Sequence, residues 1–276
     1  MRYINMICKI DNHPVYYQEF GTGKPILCIH GFPEDHRTMI GCVEPVMASS
    51  DNYRRIYIDL PGFGSTGANS IIKTADDMLD FLTKFVKEVI KDESFLLVGL
   101  SYGGYLSLGM MLKANLNING VFLICPCVIS KHENRNLAQK EILVLEQGLE
   151  PKDSEINEFR DFMDYAVIAT TKTWERYRNE IMLGEKDADS NFINAYQREG
   201  YGFSFEASLK DISFDKPIAV MTGKQDNCVG YEDTWELVKH LPHLTFVCLD
   251  RAGHNLQIEN KPLLDLHFND WLNNCN

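Results

Sequence analysis

The 276-residue sequence contains no internal repeat, no low-complexity tract and no apolar run of about 18 residues. Because a membrane-spanning helix needs an apolar run of at least that length, the sequence predicts no membrane span. Basic residues are also scarce, with 27 lysines and arginines against 39 aspartates and glutamates and a formal net charge of −12. A chain with this excess of acidic groups is poorly suited to nucleic acid or to an anionic membrane, so we expect neither as a partner.

Metal-binding cysteine spacing is absent as well. The only close pair is Cys125 and Cys127, and no second pair of that kind answers it. Most cysteines stand inside apolar runs such as ILCIH and TFVCLD, where a free thiol behaves as a small hydrophobe. The first residues contain no apolar stretch long enough for a signal peptide. The sequence therefore predicts reduced thiols, a cytoplasmic setting and no metal site. The cysteines are Cys8, Cys28, Cys42, Cys125, Cys127, Cys228, Cys248 and Cys275.

The material that is present suits one α/β domain with an insertion. Hydrophobic residues make up 45% of the chain and charged residues 24%, which is enough apolar material for a continuous core. Short apolar runs closed by turn residues predict strands buried on both faces of a parallel sheet. These runs are Ile26 to Ile29, Arg55 to Leu60, Phe95 to Leu100, Val121 to Cys125, Ile218 to Met221 and Leu244 to Leu249.

Helical periodicity lies between the predicted strands. In residues 75–91, apolar side chains recur at steps of three and four, with lysines and a glutamate between them. Residues 102–114 also have a helical pattern, with small residues on one face. Strands that alternate with helices predict right-handed crossovers and a doubly wound sheet.

The pattern changes between residues 130 and 209. Apolar residues become sparse, charges increase, and the periods of KEILVLEQGL (140–149), INEFRDFMDYAVI (156–168) and TWERYRNEIML (173–183) indicate helices. Since strand-like runs return afterwards, we interpret 130–209 as a helical insertion in a core formed by 1–129 and 210–276, rather than as a separate helical domain.

The central candidate for chemistry is Ser101, in the string GLSYGG at 99–104. A G-x-S-x-G string is weak by itself, but this one directly follows an apolar strand and opens a helix, as a nucleophile elbow requires. Glycines two positions either side of the serine remove side chains that would collide across such a tight turn. The turn would place the Ser101 hydroxyl beside a helix N-terminus, which favours developing negative charge.

A serine hydroxyl needs a general base, and the base needs an acid that orients it. His254 stands just past the last predicted strand, in a glycine turn that leads into a helix, and Asp226 follows the strand before it. The order Ser, Asp, His is the order that a nucleophile-elbow hydrolase uses. Asp250 competes with Asp226, although we expect it to cap a turn. The remaining histidines in less suitable settings are His13, His132, His240, His243 and His267.

Acyl transfer also needs two N–H donors for the oxyanion. One is the backbone N–H of Tyr102, the residue after the nucleophile. Phe32 is the natural second donor, because it lies in the loop HGFP and the following Pro33 has no N–H. We interpret His30 in the same loop as a buried structural residue rather than the base.

At this point the sequence resembles the α/β-hydrolase superfamily over nearly its whole length. The resemblance rests on HGFP (30–33), DLPGFGST (59–66), GLSYGG (99–104), GKQD (223–226) and GH (253–254), in that order. It implies a mostly parallel eight-stranded α/β-hydrolase sheet, and it implies that 130–209 forms a helical cap over the active site.

The subfamily is less defined. HGFPE resembles the loop of epoxide hydrolases and of haloalkane or fluoroacetate dehalogenases, but those enzymes have an aspartate nucleophile where this chain has Ser101. Prolyl aminopeptidases and carbon–carbon bond hydrolases resemble the chain in their serine, yet their loops are richer in glycine. The expected function is hydrolysis of carboxylic esters, thioesters or lactones of small molecules without a cofactor, by a monomer or homodimer. A peptidase, a carbon–carbon bond hydrolase and a hydrolase-fold protein that only binds a small molecule remain alternatives.

Several further residues near the predicted site have more than one possible role. We expect Asp59 to hold a turn. Glu34 and Asp35 could face the cleft, although we expect them to form a solvated helix start. Cys125 and Cys228 lie just beyond strand ends and should approach the pocket, without acting as nucleophiles. Four aromatic residues could line a substrate tunnel or simply pack within the cap: Phe162, Tyr165, Trp174 and Tyr177.

Overall fold

The computed structural model of the protein describes residues 3–47 and 52–276. The first part of the chain alternates strands and helices: β1 (Tyr3–Ile10), β2 (His13–Phe20), β3 (Lys24–Ile29), α1 (His36–Met47), β4 (Tyr53–Ile58), α2 (Ala75–Val89), β5 (Phe95–Leu100), α3 (Tyr102–Lys113) and β6 (Ile118–Ile124). From β3 to β6, strands and helices alternate along the chain, as the apolar runs predicted. β1 and β2 were not among the predicted strands.

Eight strands form one sheet in the order β1-β2-β4-β3-β5-β6-β9-β10, where β9 is Ile218–Gly223 and β10 is Leu244–Leu249. β2 runs antiparallel to both of its neighbours, and the pairs from β4 to β10 are parallel. The predicted doubly wound, mostly parallel α/β-hydrolase sheet is therefore confirmed. The carboxyl ends of its parallel strands share one edge, where ligands bind in sheets of this kind.

The central strands are buried on both faces because helices cover both sides of the sheet. Every residue of β5 and of β9 is buried, which explains their continuous apolar runs. α2 shows how the helices start: the Thr74 side chain accepts from the N–H of Asp77, and the Asp77 carboxylate accepts from the N–H of Thr74 at 2.9 Å. Such a capping box fixes where the helix begins, and its apolar side then packs on the sheet.

The chain leaves the sheet after β6 and returns at β9. Between them lie β7 (Val144–Leu145), α4 (Ile156–Tyr165), β8 (Ile168–Ala169), α5 (Thr171–Glu180), α6 (Met182–Asp187) and α7 (Ser190–Glu199). We call residues 130–209 the inserted segment. The chain ends with α8 (Glu232–Val238), α9 (Leu256–Glu259) and α10 (Lys261–Asn274) around β10.

One helix predicted in the inserted segment is wrong. Residues 140–149 contain no helix, and β7 within them pairs with β8 in parallel. The N–H groups of Leu143 and Val144 both donate to the carbonyl of Val167, at 2.9 and 3.1 Å. These backbone bonds to a neighbouring segment replace the helical bonds that the local pattern favoured, so a tertiary partner overrides the local preference.

Candidate active site

Ser101 sits on a sharp turn between β5 and α3. Its φ of 51° and ψ of −112° lie in a region that non-glycine residues rarely occupy. Its N–H donates to the carbonyl of Ile124 on the neighbouring strand at 2.9 Å, and its own carbonyl accepts from Cys127 at 3.0 Å. The strained turn is thus held by backbone bonds on both sides, as expected where a structure fixes a functional side chain.

The glycines around Ser101 allow a close approach of backbone to backbone. A Cβ atom on Gly103 would lie 2.1 Å from the carbonyl oxygen of Ile29 in β3. A Cβ on Gly99 would lie 2.6 Å from the carbonyl oxygen of Gly103 across the turn. Any side chain at these positions would push the helix away from the sheet, which explains in physical terms why the string needs glycine there.

His254 lies in the loop after β10, with its imidazole between Ser101 and Asp226. The His254 Nε2 atom is 3.0 Å from Ser101 Oγ, and the His254 Nδ1 atom is 3.0 Å from Asp226 Oδ2. With Nδ1 protonated, the ring donates to Asp226 and can accept the Ser101 proton at Nε2. The structure therefore brings together the three side chains that the sequence selected from distant parts of the chain.

Asp226 is fully buried just after β9. Its Oδ1 atom accepts from the N–H groups of Cys228 at 2.8 Å and Val229 at 2.9 Å, which leaves Oδ2 for His254. Burial alone would raise the pKa of the Asp226 carboxyl, but the His254 ring and these N–H donors outweigh burial and hold that pKa below its ordinary value. Asp226 is consequently an anion in a fixed orientation.

The environment also affects the base. Burial opposes the charged form of His254, but the neighbouring Cys228 and Asp226 side chains outweigh burial and hold the pKa of the imidazole well above its ordinary value. A raised pKa means that the imidazolium, which forms when the base takes a proton, is stabilised at this position.

The loop that holds Phe32 packs against the start of α3. The rings of Phe32 and Tyr102 lie 5.9 Å apart in an edge-to-face arrangement, so the two candidate N–H donors belong to adjacent segments. The N–H of Tyr102, at the start of α3, has no acceptor within the helix. His30 in the same loop is completely buried: its Nδ1 lies 2.7 Å from the carbonyl of Gly31 and its Nε2 accepts from the N–H of Leu60 at 3.1 Å. Those contacts give His30 a structural position away from proton transfer.

The expectation of a solvated helix start at Glu34 and Asp35 is wrong. Asp35 is completely buried and paired with Arg37, and Glu34 is only 7% exposed. The inserted segment covers this turn, since a Cβ on Gly184 would lie within 3.0 Å of the backbone of Glu34. Asp59 has the expected turn contacts: it accepts from the N–H of His36 and, at 2.8 Å, from the N–H of Ser65.

A cavity of about 930 Å³ opens at Ser101, near the upper end of the size of small-molecule sites. Phe32, Pro33, Cys228 and Val229 line it together with Ser101 and with Tyr165 of the inserted segment. The rest is lined from the inserted segment, by Ser130, Lys131, His132, Glu133, Asn134, Arg135, Ile193, Gln197, Arg198, Glu199, Tyr201, Gly202, Phe203 and Glu206.

Of the four aromatic residues named from the sequence, three pack within the inserted segment and one lines the cavity. Phe162, Trp174 and Tyr177 pack together, with the Phe162 and Trp174 rings 5.3 Å apart, in a small core cluster of the inserted segment. Tyr165 lines the cavity, with its ring 6.5 Å from that of His254. Cys228 also lines the cavity, whereas Cys125 is buried with its thiol donating to the carbonyl of Gly253 at 3.6 Å.

Two clusters of potential metal ligands occur among residues 3–47 and 52–276. One consists of Cys125, Asp226 and His254, and the other of Asp35, His36 and Asp59. In the first cluster, the His254 ring contacts Asp226 through Nδ1 and Ser101 through Nε2. In the second cluster, Asp59 Oδ1 contacts both the backbone nitrogen and the Nδ1 atom of His36. The geometry of both clusters is therefore accounted for by contacts within the protein.

The fold and this site agree with comparisons against known proteins. A family model described as the alpha/beta hydrolase fold matches residues 24–261, and the chain belongs to that family. The crystal structure of an alpha/beta superfamily hydrolase from Oenococcus oeni PSU-1 is 34% identical, with a TM-score of 0.88 over 95% of this chain and 96% of that one.

Two curated relatives are more distant. A 2-hydroxy-6-oxononadienedioate/2-hydroxy-6-oxononatrienedioate hydrolase of Paraburkholderia phymatum is 24% identical over 96% of this chain and 94% of its own length. A pimeloyl-[acyl-carrier protein] methyl ester esterase of Aeromonas hydrophila is 24% identical over 87% of this chain and 92% of its own length. In the described part of the chain, no helix is both long and apolar enough to cross a membrane.

Proposed function

We propose that the protein is a serine hydrolase that cleaves carboxylic esters, thioesters or lactones of small molecules through an acyl-enzyme on Ser101. The observation that carries the proposal is the pair of 3.0 Å contacts that join Ser101, His254 and Asp226 at the mouth of a cavity. A hydrogen-bonded nucleophile, base and orienting acid are the parts that acyl transfer requires.

In the first half-reaction, Ser101 Oγ attacks the carbonyl carbon and passes its proton to His254 Nε2. The N–H groups of Phe32 and Tyr102 bind the oxyanion of the tetrahedral intermediate. When the intermediate collapses, the bond to the leaving alcohol or thiol breaks, and His254 gives that group the proton. Asp226 stabilises the imidazolium between the two transfers.

In the second half-reaction, water attacks the acyl-enzyme while His254 removes a proton from it. Collapse of the new intermediate releases the carboxylic acid and returns the proton to Ser101 Oγ. In this scheme the inserted segment is a cap: it supplies most of the cavity wall and selects the substrate, and no cofactor takes part.

A second candidate, cleavage of a carbon–carbon bond next to a carbonyl, is favoured by the similarity to the Paraburkholderia phymatum hydrolase. It would use the same three residues.

All eight cysteines are unpaired, which supports a reducing, cytoplasmic setting. We propose that the protein is a monomer or a homodimer in that setting.

The test is hydrolysis of short p-nitrophenyl esters by the variant Ser101→Ala, with Ser130→Ala as the control because Ser130 lines the same cavity. We expect Ser101→Ala to lower kcat by about 10⁴-fold or more and Ser130→Ala to change it little. A fluorophosphonate probe should label the unchanged protein at Ser101 alone. Full activity in Ser101→Ala would refute the proposal, and a protein that the probe never labels would instead be a binding protein with this fold.

A further inference from the structure

The buried carboxyl group of Glu34 has no part in the mechanism above. Glu34 is 7% exposed, and its Oε2 atom is buried without a hydrogen-bond partner among residues 3–47 and 52–276. Leaving a charged oxygen buried and unpaired is costly, so such a group in a folded protein calls for an explanation.

Its position is next to the catalytic groups. The N–H of Glu34 donates to the carbonyl of Gly31 at 3.2 Å, which folds the turn back onto the loop that holds Phe32. A Cβ on Gly31 would lie 3.0 Å from Glu34 Oε2 and 2.9 Å from the side chain of Leu100, the residue before Ser101. The carboxyl group of Glu34 therefore lies against the loop that holds Phe32 and close to the end of β5. The charge of Glu34 interacts with that of His254.

Among the described residues, the charged groups with the largest electrostatic effect on Glu34 are His254 and Glu185. From α6, Glu34 faces the carboxyl group of Glu185, which accepts from the Tyr177 hydroxyl of α5 at 3.1 Å. From α1, which begins at His36, it faces Thr38 and Cys42, which are uncharged. The arginines nearby are paired elsewhere: Arg176 with Glu180, and Arg37 with Asp35 and Asp187. Among these groups, the imidazolium of His254 is the positive charge that can balance a Glu34 carboxylate.

The groups that face His254 complete this picture. Asp226 contacts Nδ1, and the thiols of Cys127 and Cys228 and the hydroxyl of Tyr165 are close to the ring. Glu259 of α9 accepts from the N–H of Gly253 at 2.8 Å, so its charge is directed at backbone donors. Asp226 therefore contacts the ring directly, whereas Glu34 interacts with it only through its charge.

We propose that Glu34 is a positioning residue for His254, whose carboxylate joins that of Asp226 in stabilising the imidazolium formed during acyl transfer. The role assigned to Glu34 rests on the proposed function, because it acts through the base of that mechanism. Glu34 is not among the residues that line the cavity, and its effect is electrostatic.

The protonation state of Glu34 gives this role a pH dependence. Burial raises the pKa of Glu34 to about 7, and the repulsion from Glu185 acts in the same direction. The attraction of His254 lowers this pKa, and the Thr38 side chain and the Gly31 backbone lower it further. Near neutral pH the carboxyl group is thus divided between its neutral and charged forms. Ionisation of Glu34 raises the pKa of His254, and protonation of His254 lowers the pKa of Glu34, so the two titrations are coupled.

The deciding measurement is the titration of His254 by NMR of protein with ¹⁵N-labelled histidine, with the signal assigned by its loss in His254→Gln. Glu34→Gln keeps the shape of the side chain and removes its charge. We expect the pKa of His254 to fall by about 0.5 to 1 pH unit in this variant. The plateau of kcat/KM for an ester should fall about three- to tenfold, and the acid limb of its pH profile should move to lower pH by the same interval.

Two further variants separate charge from structure. Glu34→Asp keeps the charge and should restore most of the His254 pKa. Glu133→Gln is the matched control, because Glu133 is an exposed acid that lines the cavity at Ser101 and whose charge is screened by solvent, and it should leave that pKa unchanged. If Glu34→Gln does not fold, Glu185→Gln replaces it: removing Glu185 favours the Glu34 carboxylate and should raise the pKa of His254.

An unchanged pKa of His254 in folded Glu34→Gln would overturn the proposal, even if activity fell, because a purely structural residue would give that result. An unchanged pKa in Glu185→Gln would overturn it in the same way. The NMR titration does not require a substrate. A protein that hydrolyses no ester would therefore count against the proposed function, while the role of Glu34 would still be decided by the titration.

Discussion

The catalytic edge of the sheet and the inserted segment are held together by different kinds of contact. At the sheet edge, backbone bonds from Cys127, Cys228 and Val229 fix Ser101 and Asp226, and both side chains are almost fully buried. The inserted segment depends on a small aromatic cluster and on ion pairs such as Arg178 with Glu155 and Lys186 with Glu158. The difference indicates that main-chain hydrogen bonds hold the candidate catalytic residues, whereas side-chain contacts hold the inserted segment that supplies most of the cavity wall.

The largest effect should follow from the buried acid at the sheet edge. Asp226→Asn keeps the shape but removes the anion that orients the His254 tautomer, so we expect kcat on p-nitrophenyl esters to fall by about 10⁴-fold. Asp250→Asn is the control, since this exposed acid of the next strand end accepts from Gln225 and should be nearly neutral for activity. Equal losses in the two variants would remove Asp226 from the mechanism.

The next largest effect should come from a substitution at Gly103, where the turn after Ser101 lies close to the sheet. Gly103→Ala would place a Cβ 2.1 Å from the carbonyl of Ile29, and we expect it to lower the free energy of unfolding by about 3 kcal/mol or more. Gly67→Ala is the matched control because nothing lies within 4 Å of its added Cβ. Urea unfolding measures both, and similar stabilities would show that the backbone contact does not limit the residue at position 103.

The pH profile tests the electrostatics of the same edge. Because the pKa of His254 is raised, its imidazole is protonated at a pH where a solvent-exposed histidine, with a pKa of about 6.5, is already neutral. The base must be neutral to accept the Ser101 proton, so kcat/KM should fall about tenfold per pH unit below that pKa. An acid limb below pH 6.5 would contradict the raised pKa.

The smallest effect should come from the inserted segment. Phe162→Leu loses part of the contact with Trp174 and Tyr177, and we expect a loss of about 1 kcal/mol in the free energy of unfolding. Leu145→Ala serves as the control because Leu145 is 62% exposed and should cost less than about 0.5 kcal/mol. A thermal melt that shows a separate transition for Phe162→Leu would mean that the segment unfolds independently of the sheet.

The parts that sequence patterns predicted well are those with a local cause. β5 and β9 are buried on both faces, so their apolar runs are continuous, and the glycines beside Ser101 mark a turn that no side chain can enter. β1 lacks such a pattern because it is an edge strand with Tyr3, Ile4 and Ile7 exposed. Within residues 140–149, backbone N–H groups donate to the carbonyl groups of Val167 and Ala169, which lie more than twenty positions further along the chain. A helix does not form there because these bonds replace the local ones.

By itself, the sequence predicted the alternation of parallel strands and helices in the core. It also selected Ser101, Asp226 and His254 as candidate catalytic residues, because each follows a strand that ends at the same edge. Only the tertiary structure decided the surroundings of these three residues. An acidic pair at a helix start, Glu34 and Asp35, is normally solvated, and here the inserted segment covers it and leaves Glu34 beside the base. Burial depends on what folds over a residue, and in this protein the covering segment is far from Glu34 in the chain.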